Sequence, residues 1–444
     1  MCEIRNKHMG FHVLVAILMT LTLAKYAFLL NIHKLILTSI VILMALLGDK
    51  DEILATIMCC IPLHNSINFY VATTVCSVVL IFKYLNEFRL KGHIILVLSM
   101  IIWELLHCLD GIFDIVSLIT SISPLVVLMI IISSDVKDVD YLFVVRSMAF
   151  VWIGLCFVQL ANFAMLTGGN FISAFANLQR LGVFADDDAL KLIAINPNTL
   201  GIISILITTG LLQYVSIRKY EKMDLILIVF LLLFGMIASS KTFLVCFVIM
   251  ALLFVWGQCG SAFQKLKTLT FITLVALFAV GIEALLFPET LEYLLNRFSD
   301  PDVTTGRDVL MRDYHNYIMN NIYVMFFGIG LNEFGKKVLD IGKVSFNVPH
   351  NGIQEVIIAW GFPGLFMISS MILLMIFETK RCVKQRTLLN YIPLIIIVVK
   401  SMAGQVLTSG YTMLALSFAY LTICQNFTIK NRVNLRVDED VIKF

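Results

Sequence analysis

The sequence predicts an all-α polytopic membrane protein of about 12 to 14 transmembrane helices with one large loop outside the membrane. Of its 444 residues, 59% are hydrophobic and 14% are charged, and the mean hydropathy is +0.92. A soluble protein carries roughly 25% charged residues. Apolar runs such as 11–30 and 141–166 are each long enough to cross a hydrocarbon core of ~30 Å. Their repetition predicts one helical bundle rather than several soluble domains.

The expected spans are apolar runs bounded by charged or turn-forming residues. They are 11–30, 33–48, 52–63, 67–83, 93–109, 112–132, 141–166, 196–217, 224–240, 242–258, 268–287, 352–377, 388–404 and 410–426. The pair 52–63 and 67–83 is interrupted by Pro62 and His64, so it also fits a re-entrant hairpin. The number of crossings therefore stays a range.

Basic residues cluster in alternate connecting loops, which predicts the topology. Lys and Arg are grouped near 83–91, 218–222, 265–267 and 380–386. The positive-inside rule then places both termini in the cytoplasm and the longer loops 167–195 and 288–351 in the periplasm. The predicted organisation is transmembrane helices over 1–287 with the smaller loop, a large loop at 288–351, helices over 352–426 and a cytoplasmic tail at 427–444.

Charge and cysteine content exclude several classes of function. The net charge of +3 gives no indication of nucleic-acid binding. The ten cysteines include no C-x-x-C, and neither large external loop contains one, so no disulfide framework or zinc site is indicated. No phosphate-binding loop of an ATP-driven pump is present.

The large loop carries the strongest candidate for an anion site. Thr305 is expected to cap a helix that starts at Gly306, as in a capping box, and an apolar stripe predicts an amphipathic helix to about residue 325. Arg307 then lies in the first turn, where its guanidinium and the helix N-terminus would together bind phosphate or diphosphate. The alternative is that Arg307 contacts lipid head groups or pairs with Asp308 or Asp313.

Further candidates lie at the ends of spans. His350 could accept a proton from a sugar hydroxyl, or could be a hydrogen-bonded interfacial histidine. Lys241 and Arg180 could each contact a diphosphate, and Lys241 could instead extend its ammonium to the membrane surface. The acidic groups 186–188 and 300–302 are interpreted as solvated turn residues rather than metal ligands.

In order and spacing, these motifs resemble the bacterial O-antigen polymerase and O-antigen ligase family of membrane glycosyltransferases, over about 180–365. The matching segments are Arg180-Leu181-Gly182-Val183-Phe184 with Asn196-Pro197-Asn198, Ser239-Ser240-Lys241-Thr242, Thr305-Gly306-Arg307 with Gly328-Ile329-Gly330, and His350-Asn351-Gly352 through Trp360-Gly361-Phe362-Pro363-Gly364. The chain departs from the family pattern by an acidic insertion at 186–188 and by Lys241 where the family has arginine.

The resemblance implies a GT-C type fold and a metal-independent, inverting glycosyl transfer from undecaprenyl diphosphate in the periplasm. His350 and Arg307 would be catalytic. Diphosphate binding would involve Arg180, Lys241 and Arg307, and Asn351, Glu333 and Asn198 would support the site. It implies no cofactor; the partners are the lipid-linked oligosaccharide, membrane lipids and a chain-length regulator. A polymerase fits better than a ligase that transfers glycan to lipid A core. A transporter of lipid-linked glycans would carry its charges near the membrane midplane and have symmetric halves.

Overall fold

The computed structural model describes residues 8–89, 91–110, 115–136, 139–182, 195–215, 221–257, 261–299, 306–332, 334–341, 348–382, 388–402 and 404–425. Over these residues the chain is all-helical. Six helices are long and apolar enough to cross a membrane, and six shorter apolar helices accompany them. The protein is therefore a helical, multi-pass membrane protein, and the range of 12 to 14 crossings stays a prediction.

The helices of the described residues are numbered here in chain order. They are α1 (Met9–Tyr26), α2 (Lys34–Leu47), α3 (Lys50–Leu63), α4 (Phe69–Tyr84), α5 (Gly92–His107), α6 (Ile115–Ser133), α7 (Tyr141–Leu166), α8 (Phe171–Ala176), α9 (Pro197–Val215), α10 (Lys222–Ile237), α11 (Lys241–Gly257), α12 (Ala262–Leu286), α13 (Pro288–Ser299), α14 (Arg307–Asn320), α15 (Ile322–Phe326), α16 (Phe334–Ile341), α17 (Gly352–Cys382), α18 (Ile392–Ser401) and α19 (Gly410–Ile423). A helix lies at each expected span, with ends shifted by a few residues.

Burial distinguishes a central helix from a peripheral one. In α7, 72% of the most apolar stretch is buried, and α3 packs against it with every residue from Ile53 to Leu63 buried. In α12 the corresponding share is 11%, and Leu277, Phe278 and Leu285 are exposed. Exposed apolar side chains of this kind are stable against lipid but not against water. α12 therefore lies at the edge of the bundle.

A break in α17 fixes the position of the loop segment around Gly328. At Gly361 the backbone has φ 64° and ψ −166°, so the helix is interrupted and carbonyl groups before the break lose their intrahelical donors. The N–H of Ile329 donates to Ile358 O at 2.9 Å, and the N–H of Gly330 donates to Ala359 O at 2.7 Å. The N–H groups of the loop thus supply hydrogen-bond donors for carbonyls of the interrupted helix.

A buried carboxyl group on α5 also accepts hydrogen bonds from this loop segment. Glu104, on α5, is fully buried and accepts hydrogen bonds from Leu331 N at 2.8 Å, Asn332 N at 2.8 Å and the indole N–H of Trp360 at 2.8 Å. These three donors satisfy the oxygen atoms of the buried carboxyl group. The G-x-G and Trp-Gly motifs therefore join α5, α17 and the loop, which is a structural role that the sequence did not indicate.

This junction predicts that the tight approach at Gly328 cannot accommodate a side chain. Gly328 has φ 79°, and a Cβ there would overlap the backbone of Ala359. Gly328→Ala should destabilise the protein by about 2 kcal/mol or more through strain and displacement of the loop. The control is Gly281→Ala in α12, where a Cβ meets nothing within 4 Å. Thermal unfolding in detergent checks this: equal midpoints for the two variants would contradict the proposed junction.

Candidate functional site: three arginines and a histidine

Two arginines that are far apart in the sequence bind carbonyls at the C-terminal end of α10. Arg180 Nε donates to Ala238 O at 3.0 Å, and Arg297 Nη1 donates to Ser239 O at 2.9 Å. The last carbonyls of a helix lack intrahelical donors and form the negative end of its dipole, so they favour cations. Arg297 also lies 5.9 Å from the centre of the Tyr293 ring. Arg180, from loop 167–182, and Arg297, from α13, thus bind consecutive carbonyls at the same helix end.

The Ser-Ser-Lys-Thr turn presents these carbonyls. Ser239 has φ 47°, a left-handed conformation that turns the chain from α10 into α11. Ser240 Oγ donates to Asn198 Oδ1 at 2.8 Å, which ties the turn to the first turn of α9. Lys241 is the first residue of α11, and its Nζ lies 5.8 Å from the centre of the Phe298 ring. Asn198 therefore stabilises the turn. Lys241 lies near Phe298, which is the residue after Arg297.

Arg307 begins α14, and the predicted start of this helix was wrong by one residue. The N-cap residue is Gly306, with φ 75° and no side-chain cap, rather than Thr305, which lies outside the described residues. The predicted amphipathic helix is also interrupted at Asn321, where α14 ends and α15 begins. Arg307 nevertheless stands at the positive end of a helix dipole, as expected. The positive end of the dipole adds to the charge of the guanidinium.

Charge interactions link these side chains into one cluster. Burial and the neighbouring charges of Arg297 and Arg307 lower the pKa of Arg180 to about 10, although Tyr293 opposes the shift. Burial and the charge of Arg297 lower the pKa of Arg307. Burial and the charge of Arg307 lower the pKa of His350. The arginines stay protonated at neutral pH, whereas His350 is favoured in its neutral form.

No carboxylate of the described residues forms an ion pair with Arg297 or Arg307. Arg146, on α7, shows the contrast: its Nε contacts Asp224 at 2.7 Å and its Nη2 pairs with Glu221. Like charges held together in a partly buried place repel each other, and the cost falls when an anion binds between them. The cluster therefore has the electrostatics of an anion site, and guanidinium groups suit phosphate oxygens.

The entry to α17, which follows His350 directly, is fixed by hydrogen bonds within its first turn and to α14. Asn351 caps this helix, since its Oδ1 accepts from Ile353 N at 2.9 Å and Gln354 N at 3.2 Å. Gln354 Nε2 donates to Met311 O at 2.8 Å, one turn after Arg307, and so ties α17 to α14. Asn351 is thus a helix cap that orients the entry to α17.

A second buried carboxylate fixes the same helix entry to the C-terminal part of the chain. Glu355 is fully buried and accepts from Leu407 N at 3.1 Å and Thr408 N at 2.8 Å, and also from Val406 N and the Thr408 hydroxyl. Four donors to one carboxylate make a rigid support. Glu355 is not among the site residues predicted from the sequence, although an acidic residue in a helix's first turn is a recognisable signal.

The structure brings together three of the predicted site residues, Arg180, Arg307 and His350. It adds Arg297, which sequence reasoning missed. A sequence signal was present for the helix that carries Arg297. Pro288 starts α13, and the buried face of this helix includes Thr290 and Leu294. Glu333 and the acidic groups 186–188 and 300–302 lie outside the described residues.

Comparison of the chain with models of known protein families and with curated proteins gave no match. The functional interpretation therefore rests on the cluster itself. Its arginines can bind a diphosphate and stabilise the negative charge that grows as this group leaves. A neutral histidine beside them can accept a proton. Together these are the groups required to transfer a group from a diphosphate to a hydroxyl.

Proposed function

We propose that the protein is a membrane glycosyltransferase that polymerises lipid-linked oligosaccharides at the periplasmic face of the bacterial inner membrane. It transfers a growing glycan from undecaprenyl diphosphate to a sugar hydroxyl of an incoming lipid-linked repeat unit. The observation that carries this proposal is the gathering of Arg180, Arg297, Arg307 and His350 at one end of a membrane bundle. The resemblance to O-antigen polymerases points to the same reaction.

In the proposed reaction the acceptor hydroxyl oxygen attacks the anomeric carbon of the donor sugar. The bond between that carbon and the diphosphate oxygen breaks, so the configuration inverts. His350 accepts the hydroxyl proton as the new bond forms. Arg297 and Arg307 stabilise the charge that accumulates on the departing undecaprenyl diphosphate. Because guanidinium groups supply this stabilisation, the transfer is proposed to be independent of metal ions.

The bilayer contributes to this chemistry by holding both substrates in one plane. Each substrate has a lipid tail, which remains in the hydrocarbon region while its diphosphate meets the cluster at the end of the helices. Fixing the two reacting ends close together converts an encounter in solution into a reaction between positioned groups. The exposed apolar faces of peripheral helices such as α12 leave room for such tails at the edge of the bundle.

A gel of surface lipopolysaccharide from a strain deleted for the gene tests the proposal. A polymerase deletion should leave core that carries a single repeat unit, because ligation continues without extension. Unmodified core, with long lipid-linked polymer accumulating, would instead identify a ligase that uses the same cluster. An unchanged ladder would contradict both glycosyl-transfer functions for this surface polymer.

A further inference from the structure

A second cluster of polar side chains lies at the end of the bundle opposite the arginines. It consists of His8 and His12 at the start of α1, with Asp49 and Glu52 at the start of α3. Both histidines pack against Phe143, in the first turn of α7. This helix has 26 residues, a length of about 39 Å, and its far end leads into the loop that carries Arg180. The two clusters are therefore separate sites.

The geometry points to a binding site for a divalent first-row transition-metal ion, with zinc the ion we propose, formed by His8, His12, Asp49 and Glu52. His8 Nδ1 lies 3.0 Å from Glu52 Oε1, and one ligand atom from each of His8, Asp49 and Glu52 lies within 4.8 Å of the others. Zinc bonds to nitrogen and oxygen are about 2.0–2.2 Å long, which places neighbouring ligand atoms roughly 3–3.5 Å apart. The separation of His8 Nδ1 and Glu52 Oε1 falls in this range, and the Asp49 oxygen lies within 4.8 Å of both atoms.

His12 is an independent indication of a metal site. His8 is the N-cap residue of α1, and His12 N donates to His8 O at 3.1 Å, so the two histidines lie one turn apart at the start of this helix. His12 lies close enough to His8 and Glu52 to interact electrostatically with both. The Phe143 ring stacks on His8 at 3.9 Å and meets the edge of His12 at 5.9 Å, so it holds both imidazoles on one side. Two imidazoles and two carboxylates form a donor set suited to zinc.

Helix capping alone does not account for the arrangement. Asp49 Oδ1 accepts from Glu52 N at 3.0 Å, and Glu52 Oε2 accepts from Asp49 N at 3.0 Å, which is a capping box. The box uses one oxygen of Glu52 and leaves Oε1 directed at His8. The side chains of His8 and Glu52 are only 11% and 12% exposed, so this pair is shielded from water. A bound ion would join the first helix of the chain to the buried helix α3.

The test uses full-length protein in detergent, purified without a polyhistidine tag and treated with a chelator. Zinc is titrated by calorimetry, and cobalt is titrated by its visible absorption. We expect one equivalent of zinc to bind, with at least tenfold weaker binding in His12→Gln and Glu52→Gln and no binding in the double variant His8→Gln/His12→Gln. Glutamine at position 52 keeps the capping box, so its effect reports on ligation. His315→Gln, an exposed histidine on α14, is the matched control.

Thermal unfolding separates loss of binding from loss of folding. Zinc should raise the unfolding midpoint of the wild type and of His315→Gln, because a ligand that binds only the folded state stabilises it. The same zinc addition should leave the midpoint of His8→Gln/His12→Gln unchanged. Wild-type affinity in the double variant, or no saturable zinc binding by the wild type, would overturn the proposal. Neither result depends on the proposed glycosyl transfer.

Discussion

Arg307→Ala is expected to reduce polymer extension by about 10²–10³-fold, to a level at which no ladder is visible. This range is typical when one preorganised group that stabilises developing negative charge is removed. The guanidinium of Arg307 stands at the N-terminal end of α14, where it interacts electrostatically with Arg297 and His350. The ladder on a lipopolysaccharide gel measures the effect, and an immunoblot confirms that the protein level is normal.

Two variants sharpen this prediction. Arg312→Ala removes an exposed arginine from the same helix and should leave the ladder unchanged. Arg307→Lys keeps the charge but not the paired donors, so partial activity would indicate mainly electrostatic binding and complete loss would indicate a bidentate contact. A wild-type distribution of chain lengths in Arg307→Ala would remove Arg307 from the mechanism.

His350→Ala should have the second large effect, a loss of transfer of about 10²-fold or more, since a general base contributes about 10²–10⁴-fold. The pH dependence tests the same role. His350 must be neutral to accept a proton, and burial and the charge of Arg307 lower its pKa below the usual 6.5. Wild-type activity should therefore persist at neutral pH and fall only as the pH drops through that lowered pKa. Residual activity in His350→Ala should lack this fall.

Rates of transfer by purified protein, measured from about pH 5 to pH 8 with saturating donor, distinguish the outcomes. An acid fall that is identical in His350→Ala and in the wild type would assign it to another group. Asn351 gives a structural comparison, because it caps α17 through Ile353 N and Gln354 N without offering a base. Asn351→Ser keeps a capping side chain and should retain the wild-type pH profile.

The transmembrane helices could be predicted from the sequence because continuous hydrophobicity requires no knowledge of long-range contacts. Tyr141–Leu166 was predicted to the residue, and the other spans differ at their ends by a few residues. The large loop was harder. Its amphipathic stripe predicted one helix, whereas α14 and α15 meet at Asn321, and α13 and α16 were not predicted at all. Short helices in polar segments depend on tertiary packing more than on their own pattern.

The site was predictable only in part, because its members come from four separate segments. Arg180, Arg307 and His350 were chosen from their motifs, and the sequence could not show that they interact. Arg297 belongs to no motif that the sequence analysis recognised. Its importance follows from a contact with Ser239 O, across 58 residues of chain. Long-range hydrogen bonds of this kind leave no periodic signal in a single sequence.

The glycine motifs show the same limit. Gly328-Ile329-Gly330 is recognisable in the sequence as one of the motifs that carry the family resemblance. Its structural role depends on carbonyls that α17 exposes at its break and on Glu104, more than 220 residues earlier. Neither partner can be identified from the motif. The buried charge at position 104 of an apolar span was the available clue.

The most direct test of the account is glycosyl transfer by the purified protein in liposomes supplied with lipid-linked repeat units and a metal chelator. We expect a ladder of extended glycans on undecaprenyl diphosphate in the wild type. We expect no ladder for Arg297→Ala, a variant chosen from the geometry of the cluster alone, and an unchanged ladder for Arg312→Ala. Equal ladders from Arg297→Ala and the wild type, or none from the wild type without added metal, would contradict a metal-independent transfer that depends on the arginine cluster.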